Sequence, residues 1–192
     1  YAAEINAPRA SKEPWEIEYM KKAQEITDRT FDDLLNVIHP GMTEKELCAE
    51  LIYRLYKYGS EGPSFDPITV SGPNTSLPHG VPSERVLQYG DFVTMDFGCL
   101  YHGYCSDMTR TFFCETADPD YAAIHDLVRS ANEKAESLIR PGVRFCDLDK
   151  AARDVISEAG YGEYFTHRLG HSIGMQAHEA GDVSQGNSAE VQ

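Results

Sequence analysis

The chain lacks several features that would place it in a special class of protein. No stretch approaches the roughly 18 consecutive apolar residues of a transmembrane helix, and the N-terminus has neither the basic nor the apolar region of a secretory signal. Basic residues are scarce, since 17 lysines and arginines face 31 aspartates and glutamates, giving a net charge of −14. Nucleic acids and anionic lipids are bound by basic patches. We therefore predict neither nucleic acid nor a membrane as a partner.

Cysteines are also few, and their spacing is uninformative. There are five, an odd number, and no two form a CxxC pair, which argues against a disulfide framework and a zinc ribbon. Cys99 and Cys105 lie near His102 in the sequence and are conceivable soft-metal ligands. Reduced thiols packed as small hydrophobic groups are the simpler interpretation, and we expect a cytoplasmic protein.

Two aspartates, Asp96 and Asp107, flank a short turn in an otherwise apolar and aromatic stretch. Residues 92–97 alternate in polarity, as expected of a strand with one buried face. If Tyr101 and His102 close a two-residue hairpin, the two aspartates face each other with Cβ atoms about 4.5–5.5 Å apart. Like charges so placed destabilise a sheet by roughly 1–3 kcal/mol, which a bound cation or a shared proton would relieve. The pattern predicts a divalent metal site, the alternative being two solvated acids.

The sequence repeats itself at an offset of 101 residues. Helical patterns over about 14–38 and 43–59 are followed by similar patterns over about 121–139 and 147–160. The landmarks that coincide are Ile38 with Ile139, Pro40-Gly41 with Pro141-Gly142, Leu47 with Leu148, Leu55 with Ile156, and Gly59 with Gly160. We interpret this as an internal duplication, the alternative being two generic helix pairs. On this interpretation the counterpart of the aspartate-bearing hairpin falls near residues 193–213, after the last residue of the chain.

Three histidines, His167, His171 and His178, lie in a stretch punctuated by Gly170 and Gly174. Glycines allow close approach of the backbone, which is more typical of a site than of a helix interior. Neutral imidazole is a common ligand of divalent metals, so one of these histidines could join the two aspartates. Surface or packing roles are the alternative for each.

These segments together resemble the pita-bread metallopeptidases, the family of aminopeptidase P, prolidase, creatinase and methionine aminopeptidase. The resemblance extends over residues 13–192 and rests on four motifs. They are Ser76-Leu-Pro-His79-Gly80, Asp91-Phe-Val-Thr-Met-Asp96-Phe-Gly98, Ser106-Asp107-Met-Thr-Arg-Thr-Phe112, and Gly170-His171-Ser-Ile-Gly174 followed by His178-Glu179. The resemblance implies an α+β pita-bread fold with a pseudo-two-fold duplication.

The same resemblance implies a domain organisation. Residues 13–192 would form the catalytic domain, with a first half over about 13–117 and a second half over about 118–192 that lacks its last strands. Residues 1–12 would be a linker or the remainder of an N-terminal domain, in keeping with the absence of an initiator methionine before Tyr1.

The resemblance also assigns a set of metal ligands. Asp96 is similar to the bidentate ligand of one ion, Asp107 to the carboxylate that bridges two ions, and His171 to the single histidine ligand. Carboxylates and one imidazole suit Mn²⁺, Co²⁺ or Zn²⁺, so two divalent ions of one of these kinds are the implied cofactors.

Three further histidines receive roles by the same resemblance. His79 and His178 correspond to catalytic groups that position the substrate and stabilise the tetrahedral intermediate. His167 resembles a substrate-pocket histidine of the proline-specific members, so all three belong to the implied substrate-binding set. The run Asp107–Thr111 is also more similar to aminopeptidase P and prolidase than to the methionine-specific enzymes.

The implied function is a metal-dependent peptidase that removes the N-terminal residue from peptides with proline at the second position, through a hydroxide bridging two metal ions. Family members supply two more glutamate ligands after the point where this chain ends. We therefore expect poor metal occupancy and little activity of this chain alone. Family members are often dimers, so a homodimer is a further implication. The alternatives are a non-catalytic pita-bread binding module and a creatinase-like C–N hydrolase.

Overall fold

The computed structural model describes residues 8–192, and the chain divides into two compact units. The first unit comprises Lys12–Asp118 and Ile173–Ala177. The second comprises residues 8–11, Pro119–Ser172 and His178–Gln192. Residues 1–7 lie outside the described residues, so the linker over residues 1–12 stays a prediction, as does the division into halves. Within the described range, no helix combines the length and apolarity needed to cross a membrane.

The first unit consists of two helices followed by two small antiparallel sheets. Its elements are α1 (Pro14–Leu34), α2 (Glu44–Lys57), β1 (Gly62–Pro63), β2 (Ile68–Ser71), a 3₁₀ turn (Gly72–Ser76), β3 (Phe92–Phe97), β4 (Cys99–Tyr101), β5 (Tyr104–Cys105) and β6 (Met108–Phe113). The strand orders are β1-β4-β5 and β2-β3-β6. Helix α1 packs on β4 and β5, and α2 packs on β1 and β2.

Local sequence explains where these helices begin and end. The Thr43 amide donates to Glu46 Oε2 at 2.8 Å and the Glu46 amide donates to Thr43 Oγ1 at 3.1 Å, the predicted capping box at the start of α2. Helix α1 ends at Leu34, earlier than the predicted residue 38. There the chain tightens into a turn in which the Val37 and Ile38 amides both donate to the Leu34 carbonyl.

The predicted alternation along β3 is confirmed. Val93, Met95 and Phe97 are fully buried, whereas the residues between them are partly exposed. The buried face packs against apolar residues of α1 and α2, which include Ala23, Ile26, Leu34, Leu47, Leu51 and Leu55. The opposite face of β3, which carries Asp96, is therefore directed away from this core.

The hairpin register differs from the sequence prediction. Asp96 pairs with Thr109, so the predicted direct pairing of Asp96 with Asp107 is wrong. The register is displaced by two residues along β6, which keeps each side chain on its predicted face because strand side chains alternate with a period of two.

Turn geometry explains the displacement. Tyr101 pairs with Tyr104, so His102 and Gly103 form the two-residue turn instead of Tyr101 and His102. Their φ angles are 48° and 77°, as in a type I′ turn, which requires positive φ at both central positions. A glycine at the second position meets this requirement without steric cost, and a bulky tyrosine at the first would not.

The second unit contains a helix pair and a two-stranded ribbon. Its elements are α3 (Pro119–Glu136), α4 (Phe145–Glu158), a 3₁₀ turn (Gly162–Tyr164), β7 (Gly170–Ser172) and β8 (Glu179–Val183). Helices α3 and α4 pack through a small core of Ala131, Ala135, Ala152 and Ile156, against which Val155, Phe165 and Leu169 also pack. β7 and β8 pair antiparallel.

The internal duplication is confirmed in atomic detail. Helices α2 and α4 begin and end 101 residues apart. Backbone hydrogen bonds also recur: the Gly41 amide donates to Leu87 O at 2.9 Å and the Gly142 amide to Val191 O at 2.8 Å, while the Leu87 amide donates to Met42 O at 2.7 Å and the Val191 amide to Val143 O at 2.8 Å. The same helix-and-return arrangement is thus built twice along the chain.

Candidate metal and substrate site

Asp96 lies on β3, the central strand of its sheet, opposite Thr109 on β6 and Ile68 on β2. On the same face, Thr94 and Thr111 share a hydrogen bond of 3.0 Å between their hydroxyl oxygens. The Oδ1 atom of Asp96 is buried and has no hydrogen-bond partner among the described residues. A buried carboxylate oxygen is normally hydrogen-bonded or bound to a metal. The Asp96 carboxylate therefore fits a cation ligand.

Asp107 lies between β5 and β6, next to a firmly held serine. Ser106 is buried, and its Oγ atom lies 2.6 Å from Thr27 Oγ1 on α1. The pairing of β3 with β6 ends at Phe97 and Met108, so Asp107 comes directly before the first paired residue of β6. Because Asp96 pairs with Thr109, the two carboxylates lack the direct opposition that the sequence argument assumed.

Glu44 anchors both ends of the loop that carries His79. Its side chain is fully buried. One carboxylate oxygen accepts from Ser71 N at 2.7 Å and from Asn74 Nδ2 at 3.1 Å. The other accepts from Ser83 N at 3.0 Å and from Ser83 Oγ at 2.7 Å. His79 lies exposed between these anchors.

These contacts also set the charge state of Glu44. Burial raises the pKa of the Glu44 carboxyl, but the hydrogen bonds from Ser83, Asn74 and Ser71 outweigh it, so the pKa lies below its ordinary value. The buried group is thus held as a carboxylate, which keeps the loop tied to α2.

A second carboxylate, Asp91, ties the same loop to β3. Arg85 donates from Nη1 to Asp91 Oδ2 at 2.6 Å and from Nη2 to Oδ1 at 3.0 Å, a bidentate pair. Burial raises the pKa of Asp91, but the hydrogen bonds from Arg85 and the Gln88 amide outweigh it and lower the pKa. At Gly72, whose φ is +51°, a Cβ atom would lie 2.4 Å from Arg85 Nη2. A side chain at this position would therefore be strained by the positive φ and would displace the Arg85 guanidinium from its place against Asp91.

In the second unit, His171 on β7 and His178, just before β8, are in ring contact. Their ring centroids lie 4.0 Å apart, with the planes tilted by 32°. A hydrogen bond links β7 to β8, since Ser172 Oγ donates to Gly181 O at 3.1 Å. His171 Nδ1 lies 3.1 Å from the Ser172 carbonyl oxygen. Because a carbonyl only accepts, this hydrogen bond needs the proton on Nδ1, which makes Nε2 the acceptor nitrogen of the neutral ring.

Glu179 links the same ribbon to the N-terminal segment of the second unit. Its side chain is only 7% exposed and accepts from Arg9 Nη2 at 2.7 Å. Glu179 also pairs with Ser172 across the ribbon. The arginine therefore steadies the strand that begins directly after His178.

His167 lies on an exposed stretch before β7. Its Nδ1 atom lies 2.9 Å from the Arg168 carbonyl oxygen, which again leaves Nε2 as the ring's acceptor. Its own carbonyl accepts from Arg153 Nη2 at 2.9 Å. The backbone at His167 is thus fixed while the imidazole faces solvent.

Each unit brings together one pair of the predicted residues. Asp96 lies on β3 and Asp107 directly precedes β6, the strand that pairs with β3, and His171 and His178 are in contact in the second unit. Over residues 8–192, no group of three or more histidine, cysteine, aspartate or glutamate side chains is arranged to hold a metal ion. The ligand set that combines both aspartates with His171 therefore stays a prediction.

Sequence reasoning missed the residues that hold these segments in place. In the sequence, Glu44 is one of several acidic residues in the first turn of a helix. Its burial depends on a loop about 30 to 40 residues away. The Asp149–Arg153 pair on α4 has the i,i+4 spacing of a helical ion pair. That spacing was a usable signal, although it does not reveal that Asp149 is buried.

Comparison with known proteins places the chain in a family. Residues 18–192 match the model of metallopeptidase family M24. A protein of Staphylococcus saprophyticus described as an uncharacterized peptidase is 41% identical over 186 residues, covering 97% of this chain and 53% of that protein. The chain thus spans about half the length of the curated relatives it matches.

Solved structures give the same result. The X-Pro aminopeptidase of Thermotoga maritima matches with a TM-score of 0.97 and 40% identity, over 100% of this chain and 54% of that one. The prolidase of Pyrococcus furiosus matches with a TM-score of 0.96 and 37% identity, over 98% and 56%. The predicted α+β pita-bread fold is confirmed by these matches, and the chain belongs to metallopeptidase family M24.

Proposed function

We propose that this chain is part of an M24 peptidase that releases the N-terminal residue from peptides with proline at the second position. The proposal is supported by the family match and by structural neighbours named X-Pro aminopeptidase and prolidase. The single observation that carries it is the buried Oδ1 of Asp96, which has no hydrogen-bond partner within residues 8–192, since a bound cation would compensate such an oxygen.

The donor atoms fit a divalent metal. Asp96, Asp107 and His171 would hold the ions, because two carboxylates and one imidazole suit Mn²⁺, Co²⁺ or Zn²⁺. When bound, such ions polarise the scissile carbonyl and make the attacking water more acidic. The His171 tautomer described above leaves Nε2 as the atom that would act as ligand.

The other histidines act on the substrate. His178 would donate a hydrogen bond to the oxygen that becomes negatively charged during attack, a contact that strengthens in the transition state. His79, on its doubly anchored loop, would orient the peptide, and His167 would contact the residue at the proline position. The roles of His79 and His167 require a fixed backbone, which the Glu44 and Arg153 hydrogen bonds provide.

The test is an assay of the full-length protein after loading with Mn²⁺, Co²⁺ or Zn²⁺. We expect hydrolysis of Ala-Pro or an Ala-Pro-extended peptide and at least about a hundredfold lower kcat/KM for the matching Ala-Ala peptide, in line with discrimination by pocket contacts. Asp96→Asn should abolish turnover, whereas Asp66→Asn, a change at an exposed aspartate of the same unit, should not.

Three results would overturn the proposal. Hydrolysis of creatine in place of the Xaa-Pro peptide would assign a creatinase-like C–N hydrolase. Tight metal binding without turnover of any peptide, or no metal binding at all, would leave the non-catalytic binding module as the function.

A further inference from the structure

A buried ion pair on α4 holds the segment that leads into β7. Asp149 is fully buried. It accepts from Arg153 Nε at 2.9 Å and Nη2 at 3.1 Å, a fork that matches both carboxylate oxygens. The Arg153 guanidinium also lies over the Phe165 ring, 4.2 Å from its centroid.

Both members of this pair bind the backbone of residues 165–169. Arg153 donates from Nη1 to the Phe165 carbonyl at 2.6 Å and from Nη2 to the His167 carbonyl at 2.9 Å. Asp149 Oδ1 accepts from the Leu169 amide at 3.0 Å. Three alternate residues are thus fixed to one helix, and β7 with its histidine begins directly afterwards.

The first half of the chain lacks this ion pair at the equivalent positions of its helix. At the offset of 101 residues, Asp149 corresponds to Cys48 and Arg153 to Ile52. Helix α2 otherwise has the same length and position in its repeat as α4. The first copy of the repeat therefore forms its helix with Cys48 and Ile52 at the positions where the second copy has the ion pair.

Stability alone is a poor reason for the ion pair. Burying two charges carries a desolvation penalty, and replacing such a pair by apolar residues of similar size is often neutral or stabilising. What the ion pair adds over Cys48 and Ile52 is a set of directional hydrogen bonds. Those bonds end on the segment that carries His167 and precedes His171.

We propose that Asp149 and Arg153 are positioning residues that fix residues 165–169 and thereby orient His167 and His171 for the chemistry of the site. The link to chemistry rests on the proposed function, whereas the positioning itself does not. Neither residue touches the substrate in this proposal, since both act through the backbone of the segment.

The first experiment measures backbone order without any activity assay. The double variant Asp149→Cys/Arg153→Ile, which copies the first half, is compared in the full-length protein with Lys150→Met. The control removes an exposed i,i+4 ion pair with Asp154 on the same helix. Hydrogen exchange of the peptide spanning residues 165–171 should accelerate about tenfold or more in the double variant. Exchange in α4 and the unfolding temperature should change little, and the control should match the wild type.

Two outcomes overturn the positioning role. Unchanged exchange over residues 165–171 would show that the pair does not order the segment. An equal loss of protection throughout α4 and the segment would show that the pair only stabilises the second unit as a whole.

Arg153→Lys separates geometry from charge. Lysine keeps the positive charge near Asp149, but its single nitrogen cannot reproduce the planar fork that reaches two carbonyl oxygens. We expect the segment to exchange faster than in the wild type. Full retention of protection in this variant would contradict the proposal, because charge neutralisation would then be sufficient.

A third readout connects the pair to the site. Titration with Co²⁺, followed by visible absorption, should show affinity weakened about 10- to 100-fold in the double variant, as for other residues that orient a metal ligand. If the wild type bound no Co²⁺ and cleaved no Xaa-Pro peptide, the proposed function would fail. The hydrogen-exchange result would still decide whether the pair positions residues 165–169. If exchange over that segment accelerated in the double variant but its Co²⁺ affinity equalled that of the wild type, the link to His171 would be refuted.

Discussion

The imidazole rings of His171 and His178 lie with their centroids 4.0 Å apart, across the ribbon formed by β7 and β8. The contact is a ring-to-ring packing contact, so a ring without nitrogen atoms would preserve much of it. This separates two properties of His178, namely its packing against His171 and its ability to donate a hydrogen bond.

We predict that His178→Phe keeps the fold but lowers kcat about 10²–10³-fold, the usual effect of removing one donor to a developing oxyanion. The unfolding temperature should stay close to that of the wild type because the aromatic contact is retained. Steady-state kinetics on an Xaa-Pro peptide and thermal unfolding measure the two quantities.

His39→Phe is the matched control, since His39 is exposed and is not one of the predicted site residues. Its kcat should equal that of the wild type. If His178→Phe retained wild-type kcat, the donor role assigned to His178 would be wrong, whatever its effect on stability.

Asp96→Asn tests the unpartnered oxygen. Without metal, removing the Asp96 charge should leave the free energy of unfolding unchanged or raise it slightly, because Oδ1 is buried without a hydrogen bond from any described residue and burying such an oxygen is costly. With metal, the ligand is lost and the affinity should fall by more than about a hundredfold, beyond the effect of an orienting residue.

The opposite signs of these two effects make the measurement decisive. Thermal unfolding of wild type and variant is followed with and without Co²⁺, alongside Asp66→Asn. A variant that is stabilised by Co²⁺ as strongly as the wild type would remove Asp96 from the ligand set.

Glu44→Gln should destabilise the protein by about 2–4 kcal/mol at neutral pH, because buried hydrogen bonds to a charged acceptor are worth about 1.5–3 kcal/mol each and an amide nitrogen cannot accept. Glu84→Gln is the control, since Glu84 lies in the same loop but is exposed and pairs with exposed Lys45. Denaturant titrations provide the free energies. A loss as small in Glu44→Gln as in the control would refute the anchoring role.

The same carboxylate predicts a pH dependence. The pKa of Glu44 in the folded protein lies below its ordinary value of 4.5, so the unfolded chain takes up the proton first as the pH falls. The stabilisation is therefore present above about pH 4.5 and is lost as the pH drops toward the folded-state pKa. Between neutral pH and pH 3, the wild type should lose more stability than Glu44→Gln. Parallel curves for the two proteins would show that another group dominates.

The parts of the fold that follow from local sequence were predictable. The capping box at Thr43, the alternation along β3 and the repeated helix pairs depend on residues within a few positions of one another, and the structure confirms them. Such features need no knowledge of distant contacts, because capping and amphipathic patterns are read from neighbouring residues.

The parts that depend on distant contacts were not predictable from the sequence. Whether Glu44 is buried or exposed depends on Ser71, Asn74 and Ser83 closing over it. The environment of Asp149 depends likewise on residues 165–169 returning to α4. Side chains with the same local pattern, such as Lys150 and Asp154, form an ordinary exposed pair on the same helix.

The hairpin register is a local feature that the sequence argument nevertheless missed, because it depends on which two residues form the turn. Gly103 has a φ of +77°, and a Cβ atom there would meet nothing within 4 Å, so only backbone strain opposes a side chain. We predict that Gly103→Ala lowers the free energy of unfolding by about 1–2 kcal/mol, the usual penalty for a non-glycine residue in the left-handed region. Gly186→Ala, where a Cβ is equally uncrowded and φ lies outside that region, should change stability by a few tenths of a kcal/mol at most. Equal effects of the two substitutions in denaturant titrations would show that the positive φ of Gly103 does not favour glycine in the turn of this hairpin.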